Sequence, residues 1–341
     1  MDRRRFLLAA GTMGLPAHGL QAVQVADRAP LLFIVDLLGG NDGLNTLIPL
    51  DSRAYRAARP TLAIDARRVL PLTASQALHP SLAPLMDAWD AGELAIVQGV
   101  GIPGGSGSHT RAAEIIDSGS LADDPLQTGW LAQCGCGGAA FSAVSFGAGQ
   151  AGLLRGIRRS HALAWCAGND SGTFGFGGER FERALDAACK MLADSSATQV
   201  FHFVLPGFDT HENQSQQHAR ALATLARGLA DLRRALGALG RWQHSVVLTR
   251  SEFGRMADEN LSAGTDHGNA SVQILMGGLV GGGLHGTPLD AASTDTRGRF
   301  VPSVDFRSAY ATIARDLFDG DLSPAIARAG CLEGLIRRNG A

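Results

Sequence analysis

The sequence predicts a single large α/β domain with a mainly parallel central sheet covered by helices on both faces. Three observations carry this reading. Apolar, β-rich runs alternate with stretches of helical spacing, the pattern that lays crossover helices over parallel strands. The runs Leu31–Leu37, Val200–Leu205 and Ser245–Thr249 are too continuously apolar for either face to meet water. Each empties into a segment rich in glycine or in Asp, His and Glu, and open α/β sheets hold their ligands at the carboxyl ends of neighbouring strands.

Leu31–Leu37 leads into Gly39-Gly40-Asn41-Asp42-Gly43-Leu44-Asn45, a glycine loop. Leu82, Leu85, Met86 and Trp89 give Ser81–Ala91 a helical stripe, and Leu94–Gln98 reads as the next strand. A second glycine loop, Gly99 to Gly107, ends at Ser108, which suits the N-cap of a helix opening His109-Thr110-Arg111. Ser120 to about Ala167 is less regular and is expected to leave the sheet. Helices follow at Glu179–Leu192 and Gln214–Leu239, the second striped by leucines from Leu222 to Leu239 at three- and four-residue steps. Val272–Met276 is a further strand and Ser308–Phe318 a late amphipathic helix. No repeat or low-complexity linker divides the chain. The expected organisation is an export signal at 1–26 and one domain at 27–341, with 119–167 as an insertion over the site.

The amino terminus bears on where the protein works. Asp2-Arg3-Arg4-Arg5-Phe6-Leu7-Leu8 resembles a twin-arginine export signal, followed by an apolar stretch to Pro16. That stretch is far short of the ~20 residues that span a bilayer, so cleavage between Ala17 and Ala26 is expected rather than a stable membrane span. The resemblance implies a periplasmic or secreted protein, exported already folded, with the twin-arginine translocase as its partner in transit.

Composition narrows the function classes. A net charge of −2 gives no reason to expect nucleic acid or an anionic membrane as partner, and 45% apolar residues suffice for a sizeable core. Glycine is frequent, 44 of 341 residues, and gathers in loops after strands, where backbone turns sharply or approaches a ligand. Of five cysteines, Cys134 and Cys136 stand too close for a routine structural disulfide. Cys166, Cys189 and Cys331 are scattered, and no zinc-finger spacing follows. The chain has no Gly-x-Gly-x-x-Gly after its first strand, no P-loop and no Gly-x-Ser-x-Gly elbow, which sets aside a nucleotide enzyme or an α/β-hydrolase. What remains is Phe208-Asp209-Thr210-His211-Glu212-Asn213-Gln214, Ser251-Glu252-Phe253-Gly254-Arg255 and Thr265-Asp266-His267-Gly268. Carboxylates and imidazoles after strands suggest a metal-dependent hydrolytic site.

Together with the first glycine loop and Ser108-His109, these motifs in this order resemble the DUF1501 family, exported bacterial proteins of largely unassigned function grouped with the alkaline phosphatase-like superfamily. The resemblance runs from about Leu31 to Leu317. It implies an alkaline phosphatase-like fold and an exported metal-dependent hydrolase of phosphate or sulfate esters, with an anionic ester as substrate. By motif, Asp42 resembles the first-strand metal carboxylate, with Asp36 as the alternative. Asp36 lies in an apolar run where a carboxylate needs a partner, so Asp42 is preferred. Ser108 resembles the nucleophile and is equally an N-cap. His109 contacts metal or substrate. Asp209 and His211 read as ligands of one ion or as a loop hydrogen bond. Glu252 is the ligand after Ser245–Thr249, where a phosphatase of that superfamily has an Asp-His pair, a departure from the two-ion pattern. His267 resembles the last histidine ligand, with Asp266 as ligand or its outer partner. Arg255 is a candidate anion clamp or a surface salt bridge. His218 and His285 read as structural, and His79, His161, His202 and His244 carry no assignment. Mixed oxygen and nitrogen ligands suit one or two divalent ions: Zn, Mn, Mg or Ca. The alternative is a non-catalytic periplasmic binding or assembly protein on the same fold. Its partner would be a protein of the DUF1800 family, whose genes are often found beside those of this one.

Overall fold

In the computed structural model, which describes residues 29–122, 127–135, 141–147, 151–163, 179–194 and 198–338, the apolar runs become the middle of a wide sheet. The twin-arginine segment, Cys136 and Cys166 lie outside the described residues. Strands run β1 (Leu31–Leu38), β2 (Leu47–Pro49), β3 (Leu70–Pro71), β4 (Gln76–Leu78), β5 (Leu94–Gly101), β6 (Ser142–Phe146), β7 (Arg159–Leu163), β8 (Val200–Pro206), β9 (Ser245–Arg250), β10 (Ser271–Met276), β11 (Gly283–Gly286) and β12 (Val304–Asp305). Four longer helices are α1 (His109–Ser118), α2 (Arg180–Asp194), α3 (Gln214–Ala238) and α4 (Arg307–Asp316).

Nine of the described strands form one sheet in the order β11-β5-β10-β9-β1-β8-β6-β7, with β12 also paired to β5. The domain is mixed α/β and the sheet mostly parallel, as the sequence predicts. Strand β1 shows why its run is apolar throughout. Leu31, Phe33, Val35 and Leu37 enter one core with the inner faces of α2 and α3, while Leu32 and Ile34 enter the other with α1 and α4. Period-two alternation therefore feeds two buried layers instead of one. The leucine stripe of α3 (Leu222, Leu225, Leu229, Leu232 and Leu236) is fully buried, each side chain worth about 1.5–3 kcal/mol over the exposed state.

Four features depart from the sequence reading. Strand β10 runs antiparallel to both neighbours, β5 and β9. The stripe at Ser81–Ala91 divides into a 3₁₀ turn, Pro80–Leu85, and a short helix, Met86–Asp90, because Pro84 lacks the N–H that an α-helix needs there. Strands β2, β4 and β3 make a small antiparallel sheet that the sequence did not suggest. Within 119–167, the described residues include β6 and β7, which extend the main sheet beyond β8. Among the described residues no helix is long and apolar enough to cross a membrane.

Candidate metal centre

Topology brings five of the singled-out residues to one edge. Strand β1 lies between β8 and β9, parallel to both, with Asp36 paired to Val204 on one side and Arg250 on the other. All three strands leave the sheet along the same edge, so Gly39, Asp209 and Glu252 meet there. Strand β5 runs in the same sense and delivers its loop to His109. The reversed β10 brings its amino end to that edge, and His267 lies just before it. An antiparallel bridge between Arg255 and His267 ties the two later motifs together. Gly39 is required at this crossing: its φ is +122°, and a Cβ there would run into the Asp209 backbone.

His109, Asp209 and His267 converge with one potential ligand atom each, all within 4.8 Å of one another. His267 Nε2 lies 3.2 Å from Asp209 Oδ1, and His109 Nε2 lies 3.6 Å from Oδ2. His211 stands beside them, its Nε2 3.1 Å from Asp209 Oδ1 and 2.9 Å from His267 Nε2. The second nitrogen of each ring faces an acceptor. His109 Nδ1 is 2.8 Å from Glu252 Oε1, His211 Nδ1 is 3.3 Å from Asp266 Oδ1, and His267 Nδ1 is 3.1 Å from the Gly107 carbonyl. With each outer nitrogen donating, every neutral ring turns an Nε2 lone pair toward the Asp209 carboxylate. Three lone pairs and a carboxylate with no hydrogen between them repel unless a cation or added protons stand among them. The donor set therefore fits a divalent ion bound through imidazole and carboxylate, with the other ring N–H groups held as in most histidine metal sites. Phe253 backs the rings, with centroids 4.4 Å from His267 and 4.8 Å from His109.

The charge at the centre is fixed by Asp209, whose side chain is half-exposed. Partial burial pushes its carboxyl up, but the hydrogen bond and charge of the Arg255 guanidinium, with the imidazoles beside it, outweigh this and hold it below the usual carboxylate range. The aspartate thus stays anionic, as a metal ligand must.

Other expectations are corrected. Asp42 is not at the centre. It is 1% exposed, caps the Gly43–Thr46 turn through Asn45 N, and pairs with buried Arg59 at 2.6 Å. The glycine loop that was to spare it the cost of burial is itself buried, and Arg59 meets that cost. Asp36 is also engaged elsewhere, with Arg250 at 2.5 Å and His202 at 2.8 Å. Arg255 is neither clamp nor surface pair: it is 1% exposed, and its guanidinium donates to the carbonyls of Gly39, Gly40, Phe208 and Thr265 and to Asp209 Oδ1. It holds the ligand loops together and offers no free face to an anion. Glu252 is 4% exposed, and its Oε1 contacts Gly39 N and His109 Nδ1, so it is placed to orient the His109 ring. Asp266 does the same for His211. Ser108 caps α1 through a 3.4 Å hydrogen bond from Arg111 N and is exposed beside His109.

Sequence reasoning passed over several supports. Asn260 Nδ2 donates to the His211 carbonyl at 2.9 Å, and Gln214 Oε1 accepts from Thr210 and Thr265 beneath the centre. Phe253 and Gln214 lie inside the quoted motifs; Asn260 and the Gly107 carbonyl carry no sequence signal.

Comparison with known proteins gives two kinds of likeness. A family model, "Protein of unknown function (DUF1501)", matches residues 181–313. No curated protein matches the chain. Among solved structures, the PsFucS1 sulfatase from Pseudoalteromonas sp. is similar over 94% of this chain and 75% of its own, at 10% identity and a TM-score of 0.49. The C-terminal periplasmic domain of EcEptC from Escherichia coli, in complex with Zn, is similar over 74% of each chain at 9% identity and TM-score 0.39. The lipoteichoic acid synthase LtaP from Listeria monocytogenes covers 77% of this chain and 67% of its own at 9% identity and TM-score 0.39. None of these bears on the reaction, which is argued from this chain's own side chains.

Proposed function

We propose that this chain, whose residues 181–313 match the DUF1501 family, is an exported metal-dependent hydrolase of phosphate or sulfate esters. The observation that carries the reading is the convergence of three Nε2 atoms on the Asp209 carboxylate while every outer ring nitrogen is engaged. His109, Asp209 and His267 would hold the ion, with His211 beside them. Such an ion supplies positive charge against the ester's anionic group and its transition state. Glu252, Asp266 and the Gly107 carbonyl fix the tautomers, and Arg255 fixes the spacing of the loops. Ser108 is the candidate nucleophile. Its hydroxyl is exposed at the first turn of α1, where the helix end favours an anionic substrate, and it immediately precedes His109.

The test is metal content of the purified chain beside Asp209→Ala and His267→Ala, followed by a screen of phosphate and sulfate esters. Stoichiometric metal in wild type, lost with activity in both variants, is expected. Wild type that is folded, metal-free and inert toward esters would overturn the proposal. A second reading, a non-catalytic binding or assembly protein with a DUF1800-type partner, is favoured by the capping bond of Ser108 and by the absence of a free arginine in Arg255. It predicts that Ser108→Ala leaves the cellular role intact.

A further inference from the structure

Beside the centre, at the carboxyl ends of β6 and β8, a pocket of about 710 Å³ opens between the sheet and helices α2 and α3. It lies in the size range of pockets that enclose a small organic molecule. Its walls include Phe146, Phe181, Phe203, Val204, Pro206 and Ala221. The three phenylalanines are already ordered against one another. Phe146 stacks on Phe203 at 5.1 Å and 3°, and Phe181 meets Phe203 edge-on at 6.3 Å and 87°. Arg180 and Arg220 also line the pocket, both exposed, against one carboxylate, Glu179.

The pocket reaches the candidate centre along the chain itself. Pro206 and Gly207 form part of its wall, and two residues beyond Gly207 stands Asp209, a span of at most about 7 Å. Leu38, 47% exposed, pairs with Pro206 in the sheet and directly precedes Gly39, which abuts the Asp209 backbone. Pocket and cluster are thus neighbours at one sheet edge, with an excess of positive charge at the pocket's mouth.

We infer that the pocket seats the apolar, aromatic part of an anionic ester whose phosphate or sulfate lies at the His109–Asp209–His267 cluster, so the substrate class is aryl rather than small polar esters. This rests on the hydrolase reading for the position of the anionic group. The aromatic walls supply the apolar contact and edge-to-face partners for a ring. Arg180 and Arg220 complement the negative charge of the guest and draw it toward the mouth.

The test compares 1-naphthyl phosphate with methyl phosphate, using fluorescence or calorimetric binding and turnover on the full chain, with and without added zinc. In wild type the naphthyl ester is expected to bind at least about tenfold more tightly, since burying one ring system contributes that much or more. Ala221→Trp, which fills the pocket, removes the advantage while leaving methyl phosphate and metal content unchanged. Thr224→Trp, at a partly exposed wall position, narrows the same pocket, weakens naphthyl phosphate several-fold and carries the test if Ala221→Trp does not fold. Equal affinity for the two esters in wild type, or an advantage that survives both folded variants, would overturn the inference. The two readings fail separately. Hydrolysis of both esters with equal kcat/KM keeps the hydrolase and removes the pocket. Tight naphthyl phosphate binding that Thr224→Trp weakens, in a chain that binds no metal and turns over neither ester, keeps the pocket and removes the hydrolase.

Discussion

The same side-chain types build two networks a few residues apart, one closed and one open. In the sheet, His202 lies between Ser145 Oγ at 2.9 Å and Asp36 Oδ2 at 2.8 Å, and Arg250 grips Asp36 through two nitrogens and Asp117 through one. A Ser–His–Asp line of this kind serves nucleophilic catalysis where the serine is reachable. Here Ser145 is 1% exposed and the aspartate is committed to a buried arginine. At the sheet edge, His109, His211 and His267 surround Asp209 with their outer nitrogens engaged and their inner nitrogens facing one another. The first network satisfies itself; the second turns its inner nitrogens and a half-exposed carboxylate toward one point, as the proposed metal site requires. Closure, rather than residue type, separates a structural polar network from a candidate site.

The sharpest way to break this contrast is Asp36→Ala. Burial pushes the Asp36 carboxyl up, the charges of Arg250 and His202 more than offset it, and the group is held well below the carboxylate range. Removing it leaves the buried guanidinium with Asp117 as its one remaining carboxylate and His202 without its partner, so urea unfolding should show a loss approaching about 3–5 kcal/mol. A loss under about 1 kcal/mol would mean that the closed network is not closed. The open network should respond to metal instead. At a free metal concentration 100 times its Kd, chelation should remove about 2.7 kcal/mol of stability, read as a lower Tm, whereas Asp209→Ala should be indifferent to the chelator. A variant that still responds would place the ion elsewhere.

Glu252→Gln sharpens the distinction between holding an ion and orienting a ligand. Metal affinity should fall about 10–100-fold by calorimetry, with bound metal still reaching full stoichiometry at saturation. Loss of all binding would make Glu252 a direct ligand. A last comparison concerns acid. Burial, the leading cause in both, holds His218 down to about 3 and His79 down to about 4. Both are therefore neutral in the fold at pH values where the unfolded chain, with histidines near 6.5, takes up protons. Stability should fall as pH drops from about 6.5 toward 4, by at most about 1.4 kcal/mol per pH unit per histidine. His79→Gln should flatten that slope in pH-dependent melts; an unchanged slope would remove His79 from the account.

Much of this was legible in the chain because burial on two faces leaves an unbroken apolar run. Strands β1, β5, β8, β9 and β10 all begin within a residue of the sequence reading for that reason. Strand β6, Ser-Ala-Val-Ser-Phe, is short and half-polar, and carries no such run. The direction of β10 was not legible either, since alternation of strands and helices does not record a reversal. Asp209, His211, His267 and His109 lie together because each follows a strand end at the same sheet edge. Asp42, Arg255 and Glu252 have partners that the sequence does not show: Arg59, the Gly39–Gly40 carbonyls and Gly39 N respectively. Sequence shows what a side chain can do. Its partner decides which of those things it does.

The contacts at the centre are separated by long stretches of chain: 58 residues between Asp209 and His267, 143 between His109 and Glu252, and 213 between Gly39 and Glu252. A ribosome-bound chain holding residues up to 250 has His109, Asp209 and His211 but neither Glu252 nor His267. No nascent chain shorter than 267 residues contains the whole cluster, and loop-closure entropy delays such distant contacts until the sheet is assembled. A nonsense mutation anywhere before codon 267 therefore yields a protein without His267 and with the cluster incomplete.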